Sequence, residues 1–156
     1  MRRESITPEQ EQELENVKEQ YADERRYLKS MLLLWLFFRV LYTIMEIILD
    51  GMYVTEALIA IISTILGLGL TVGFAYAIYE GYKWVALIPL AGGLYSLGSF
   101  ISNMTYTYFP TVSNIIKAYI VIFTVAVIAQ IVTMIFVFVS KRLAPYFQAM
   151  KNVRNG

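Results

Sequence analysis

The chain contains no cysteine and no histidine. Without cysteine there is no disulfide, no thiol nucleophile and no iron–sulfur ligation. Without histidine the chain lacks the usual zinc, copper and haem ligand, and also the side chain that most often moves protons near neutral pH. We therefore expect no bound metal, no cofactor and no catalytic residues, and we predict that the protein is not an enzyme.

Charge is also scarce, because 16% of the 156 residues are charged while 58% are hydrophobic. A soluble domain carries about 25% charged residues. The hydrophobic residues form four long runs, at about 31–49, 57–79, 84–104 and 115–140. Each run is near or above the ~20 residues that cross ~30 Å of hydrocarbon. The sequence predicts an all-α integral membrane protein with a four-transmembrane-helix bundle over residues 31–140.

A charged segment precedes the bundle, and residues 1–30 hold eight acidic and six basic side chains. Thr7 is suited to cap a helix, with Pro8 at its first position and Gln10 completing a capping box. No glycine or proline lies between Pro8 and Gly51. We predict a long cytoplasmic N-terminal helix that is continuous with the first span, and a short basic cytoplasmic tail at 141–156.

The basic residues predict the orientation of the chain, since Lys and Arg near the spans favour the cytoplasmic side. Lys117 is the one basic residue near the opposite side, against nine on the predicted cytoplasmic side: Lys18, Arg25, Arg26, Lys29, Lys83, Lys141, Arg142, Lys151 and Arg154. We expect both termini to be cytoplasmic, at a bacterial plasma membrane. Because these residues follow the membrane edge, we expect no nucleic-acid partner.

Polar residues within the spans are the candidates for a functional site. Arg39, Thr43, Glu46 and Asp50 share one face of span one at ~100° per residue. Ionisable residues within a membrane usually face the protein interior or a water-filled cavity. Two interpretations stay open: a polar site or path along span one, with Arg39 as its first candidate, or an Arg39 that extends to the interface while Glu46 and Asp50 mark the outer boundary. Gln130 in span four is either an interhelical hydrogen-bonding residue or a substrate contact.

Small residues predict close helix packing. Span two carries Gly69, Gly73, Ala77 and Gly81 at four-residue spacing, which lets two helix backbones approach. The tight turn between spans two and three favours packing within the chain, and a second subunit is the alternative. Span three adds two more small residues, Gly92 and Ser96, and also Pro89, which predicts a bend near Val85.

An apolar seam in the N-terminal segment consists of Leu14, Val17, Tyr21 and Leu28, at heptad positions a, d, a and a. This pattern predicts either partner docking or a solvated helix that only orients span one.

Two functions are consistent with these features. The first is a non-enzymatic accessory, regulatory or immunity-type subunit that acts on another membrane component. The alternative is a small oligomeric channel or transporter for an ion or small molecule that uses polar residues of spans one and four. The expected partners are the lipid bilayer and either a membrane protein or further copies of the chain.

Overall fold

The computed structural model describes residues 7–53, 57–104 and 114–155, and these residues are helical apart from short turns. Four of the helices are long and apolar enough to cross a membrane, which confirms the four predicted runs as helices. They are α2 (Ala22–Tyr53), α3 (Ala57–Tyr79), α4 (Leu87–Met104) and α5 (Asn114–Val139). Two amphipathic helices, α1 (Pro8–Gln20) and α6 (Ala144–Asn155), flank this set.

The start of α1 is the predicted capping box. The Gln10 main-chain nitrogen donates to Thr7 Oγ1 at 3.3 Å, and the Thr7 nitrogen donates to Gln10 Oε1 at 3.1 Å. Pro8 occupies the first helical position, where a missing N–H costs nothing.

The prediction of one continuous helix into the first span is wrong at Tyr21, which separates α1 from α2. Tyr21 has φ −105° and ψ 33°, outside the helical region. Its ring lies 6.3 Å from the ring of Tyr146 in α6. Because α1 packs against α6, tertiary contacts favour a break that no glycine or proline in the sequence predicts.

The C-terminal segment, expected as a short basic tail, forms α6. Leu143, Tyr146, Phe147 and Met150 are buried at helical spacing. The Tyr146 hydroxyl donates to the main-chain oxygen of Tyr79 at 2.7 Å. The hydrophobic core therefore lies at the end of the bundle that carries α1, α6 and the α3–α4 turn, which we call the capped end. Its other buried members are Leu28, Leu32, Trp35, Ala75, Ile78, Ala86, Met134 and Val137.

The four long helices pack in the order α3, α2, α5, α4. Although α3 and α4 are consecutive in the chain, their described residues make little contact with each other. The bundle is therefore open between these two helices.

The helix-bending role predicted for Pro89 is wrong, because α4 begins only at Leu87. A short 3-10 turn at Lys83–Ala86 precedes it. Pro89 therefore falls in the first turn of α4, where main-chain N–H groups have no helical partner.

Close packing of span two against span three is also wrong for Gly69 and Gly73. Both glycines are exposed, and no described atom lies within 4 Å of the position a β-carbon would take. Ala77 is half-buried. Gly81 lies beyond the end of α3, with φ +91° and its β-carbon position 2.9 Å from Met150. Gly81 is thus a turn residue that needs a positive φ.

Candidate functional site

A cavity of about 290 Å³ lies between α2, α3, α4 and α5, and we call it the central cavity. It is lined by residues of all four helices, namely Trp35, Arg39, Tyr42, Thr71, Phe74, Ile88, Pro89, Gly92, Ser96, Phe123, Ala126, Val127 and Gln130. The cavity thus brings together Arg39 and Gln130, two of the polar residues singled out from the sequence. Its lining includes residues of both α3 and α4, two helices whose described residues make little contact with each other.

The side of the cavity nearer the capped end is a hydrogen-bonded layer of three residues. Trp35 is buried, with 1% of its surface exposed, and its indole Nε1 donates to Gln130 Oε1 at 3.4 Å. The amide nitrogen of Gln130 donates to the main-chain oxygen of Pro89 at 2.5 Å. Gln130 thereby joins three helices, and both ends of its amide have partners within the protein.

The opposite side of the cavity is an aromatic layer. The ring of Tyr42 lies 5.7 Å from that of Tyr119 and 5.4 Å from that of Phe123. The Tyr42 hydroxyl donates to Glu46 Oε1 at 2.8 Å and lies 3.2 Å from the Tyr119 hydroxyl. Trp35 and Tyr42 are seven residues apart on α2, so the two layers are about 10 Å apart along the helix.

Arg39 lies between the two layers. Its guanidinium carbon is 4.8 Å from the centre of the Tyr42 ring, and Nη2 is 3.7 Å from the β-carbon position of Gly67. Tyr42 lies about one helical turn beyond Arg39, on the side away from the capped end. Since the guanidinium stacks on Tyr42, the charged group points away from the capped end and stays within the bundle. Nε is buried without a hydrogen-bond partner among the described residues. Within the described ranges, Arg39 also forms no ion pair.

The other predicted members of the polar stripe have different surroundings. Thr43 is buried, and its Oγ1 has no hydrogen-bond partner among residues 7–53, 57–104 and 114–155. Asp50 is half-buried near the far end of α2. Tyr42 connects Arg39 with Glu46, because the Arg39 guanidinium stacks on its ring and its hydroxyl donates to Glu46. The sequence signal for Tyr42 was its position three residues after Arg39 and four before Glu46.

Among the described glycines of the four long helices, the closest approach to another helix is at Gly93, not at Gly92. A β-carbon on Gly93 would lie 3.0 Å from Ile131 Cγ1 and 3.3 Å from Gln130 Nε2. At Gly92 the nearest atom is Gln130 Nε2 at 3.9 Å, which is an ordinary contact. Ser96 is half-buried and lines the cavity.

The apolar seam of the N-terminal segment is packed against the chain's own core. Leu28 is completely buried, and Leu14, Val17 and Tyr21 are partly buried against the same cluster. In this conformation the seam is therefore an internal contact of α1 and the start of α2 with the core at the capped end, and partner docking through it stays a prediction.

Glu80 connects the charged elements of the capped end. Its carboxylate lies 3.0 Å from Lys18 Nζ and 3.6 Å from Arg25 Nη2. A hydrogen bond to Glu15, together with Glu80, raises the pKa of Lys18. Burial raises the pKa of the Tyr146 hydroxyl.

Within the described residues, no group of three or more carboxylates could hold a metal ion. No family model, curated protein or solved structure matches the chain. The residues of the cavity and their geometry are therefore the basis for proposing a function.

Proposed function

We propose that this chain is a small integral membrane protein that binds a small organic monoanion in the cavity and carries it across the membrane. The observation that supports this most is the Arg39 guanidinium, which faces the cavity and has no counterion among the described residues. The proposed orientation places the capped end in the cytoplasm, following the distribution of Lys and Arg.

The energetics of Arg39 favour an anionic ligand. A charge at the centre of a membrane helix costs about 2.5–3.5 kcal/mol on insertion scales. The face of Tyr42 returns only about 0.5–2 kcal/mol. An anion beside the guanidinium would offset the remaining cost and would also satisfy donors of Arg39 that have no protein partner.

The remaining lining limits the ligand to a small molecule with one charge. About 290 Å³ lies near the lower end of the ~300–1,000 Å³ range of ligand pockets. Arg39 is the one charged residue among the described residues that line the cavity, and Trp35, Phe74 and Phe123 provide apolar surface. A small aromatic or aliphatic carboxylate fits this combination.

The position of the cavity supports transport over static binding. The cavity lies about nine residues into α2 from Ser30, which is ~13 Å along the helix and close to the middle of the bilayer. Transporters bind their substrates near this depth, between two closable layers. The Trp35–Gln130–Pro89 layer and the Tyr42–Tyr119–Phe123 layer are suited to that role.

Benzoate uptake into proteoliposomes tests the proposal. The wild-type chain should accelerate uptake of labelled benzoate down its gradient, and Arg39→Leu should abolish the acceleration. Arg142→Leu is the matched control, since Arg142 also stacks on a tyrosine at 4.8 Å but lies outside the cavity. Equal uptake by the two variants, with both folded and reconstituted, would overturn the proposal.

An interaction subunit is a second candidate, supported by a different surface. Gly69 and Gly73 leave an open strip on α3 that can accept another transmembrane helix, from a second copy or from a membrane protein partner. Gly73→Leu should then abolish crosslinking of neighbouring chains in membranes while benzoate uptake by each chain survives. Unchanged crosslinking would remove this candidate.

A further inference from the structure

A second cavity, of about 500 Å³, lies at the capped end between the α3–α4 turn and α6. Its charged lining residues are Lys83, Lys151 and Arg154, and no aspartate or glutamate of the described part of the chain lines it. This is a concentrated positive site in a chain whose net charge is +1. It shares no lining residue with the central cavity and is independent of the function proposed for that cavity.

Two of the three cations are held in place by the protein. Lys83 Nζ donates to the main-chain oxygen of Phe138 at 3.2 Å. Arg154 stacks on Tyr82, 3.7 Å from the ring centre, and donates to the main-chain oxygen of Glu80. An arginine has five N–H donors and a lysine three, so both residues keep donors for a ligand.

The third cation, Lys151, has no such anchor. It is exposed and forms no hydrogen bond or ion pair with any residue of the described part of the chain. The carboxylate of Glu80 cannot neutralise it in this arrangement, because that carboxylate is paired with Lys18 and Arg25. The site therefore keeps an uncompensated positive charge.

The same cavity has an aromatic edge at the end of a candidate membrane span. Trp84 is 70% exposed and Tyr82 49% exposed, next to the span that starts at Lys83. Exposed tryptophan and tyrosine at a span end are typical of the membrane–water interface. Trp84, Val85 and Phe147 provide the apolar part of the lining.

We propose that this cavity binds the headgroup of an anionic phospholipid. Lys83, Lys151 and Arg154 would hold its phosphate, and Trp84 and Val85 would contact the first part of its acyl chains. A free soluble phosphate would use the cations but leave the apolar edge without a partner. A lipid accounts for both halves of the lining, and basic pockets on the cytoplasmic side of transmembrane helices are known to hold such headgroups.

Native mass spectrometry of the delipidated full-length chain tests the site with defined lipids. Phosphatidylglycerol should bind more tightly than phosphatidylcholine of the same acyl chains. Lys151→Gln should weaken phosphatidylglycerol binding roughly fivefold, which corresponds to about 1 kcal/mol for one interfacial charge. Lys151→Glu should remove the preference for phosphatidylglycerol.

The matched control is Lys141→Glu, which changes the same charge at an exposed residue that does not line the cavity. It should keep the preference for phosphatidylglycerol. An equal loss in Lys141→Glu would mean a diffuse surface charge and would overturn the site. Displacement of bound phosphatidylglycerol by millimolar inorganic phosphate would show a soluble-phosphate site, and equal binding of the two lipids would show no headgroup site.

Discussion

The side-chain amide of Gln130 donates a 2.5 Å hydrogen bond to the main-chain oxygen of Pro89, which fixes α5 against the first turn of α4. The approach is possible because the next turn of α4 presents Gly93. A β-carbon there would lie 3.3 Å from the Gln130 nitrogen and 3.0 Å from Ile131. The hydrogen-bonded layer on one side of the central cavity therefore depends on Gly93, which does not line the cavity itself.

Gly93→Ala should destabilise the bundle, because the cost of overpacking a close contact, about 1–3 kcal/mol, outweighs the ~0.5–1 kcal/mol that alanine gains over glycine in a helix. Gly73→Ala is the matched control, because its β-carbon would meet no described atom and alanine favours a helix by ~0.5–1 kcal/mol. Thermal unfolding in detergent, followed by far-ultraviolet circular dichroism, should place the two variants on opposite sides of wild type. Equal stability of the two would contradict the close α4–α5 approach.

The hydrogen bond between Trp35 and Gln130 should appear as a coupling energy between α2 and α5. Trp35→Phe removes the donor, and Gln130→Leu removes the acceptor while keeping a side chain of similar length. In a double-mutant cycle the two changes should be less costly together than the sum of the single changes, by about 0.6 kcal/mol. Additive effects on unfolding would show that the 3.4 Å contact contributes nothing to stability.

Glu80→Gln should loosen α1 from the rest of the protein. The change weakens two ion pairs whose members are all about four-fifths buried, since Glu80 is 20%, Lys18 17% and Arg25 18% exposed. Trypsin should then cut after Lys18 and Arg25 several-fold faster than in wild type. Asp23→Asn is the control, because Asp23 is 79% exposed in its pair with Arg26 and such surface pairs contribute ~0–1 kcal/mol. Similar cleavage rates in both variants would show that Glu80 does not hold α1.

The helices were predictable because length and hydropathy alone decide them. The runs at 57–79 and 115–140 match α3 and α5 within one residue at each end. The capping box at Thr7 was predictable for a different reason, because it depends only on residues three apart in the sequence. The break at Tyr21 was not, because its cause is the packing of α1 on α6, a contact between opposite ends of the chain.

The candidate site was predictable in part. Arg39 and Gln130 stand out as polar residues in apolar helices, and the cavity contains both. Helical periodicity places residues around one helix but does not determine which helices are neighbours. For that reason the sequence suggested that the Gly69–Gly73 row packs against span three, whereas α3 and α4 are separated by the cavity. The folding of α6 did have a local signal, the helical spacing of Leu143, Tyr146, Phe147 and Met150.

Alkaline pH should undock the capped end. The pKa of Tyr146 is raised by burial, and that of Lys18 is raised by its hydrogen bond to Glu15 and its pairing with Glu80. The Glu15 bond lies within α1, so only burial of Tyr146 and the pairing of Lys18 with Glu80 depend on docking. The contribution of these two groups to stability is complete below about pH 10, the usual pKa of a tyrosine, and is lost as pH rises above it. The undocked form then loses its protons first and is favoured.

The unfolding temperature of wild type should therefore fall more steeply above pH 10 than that of Tyr146→Phe. This variant begins less stable, because the 2.7 Å hydrogen bond to Tyr79 is missing. Parallel curves for the two proteins would show that ionisation of Tyr146 is not linked to docking of α6.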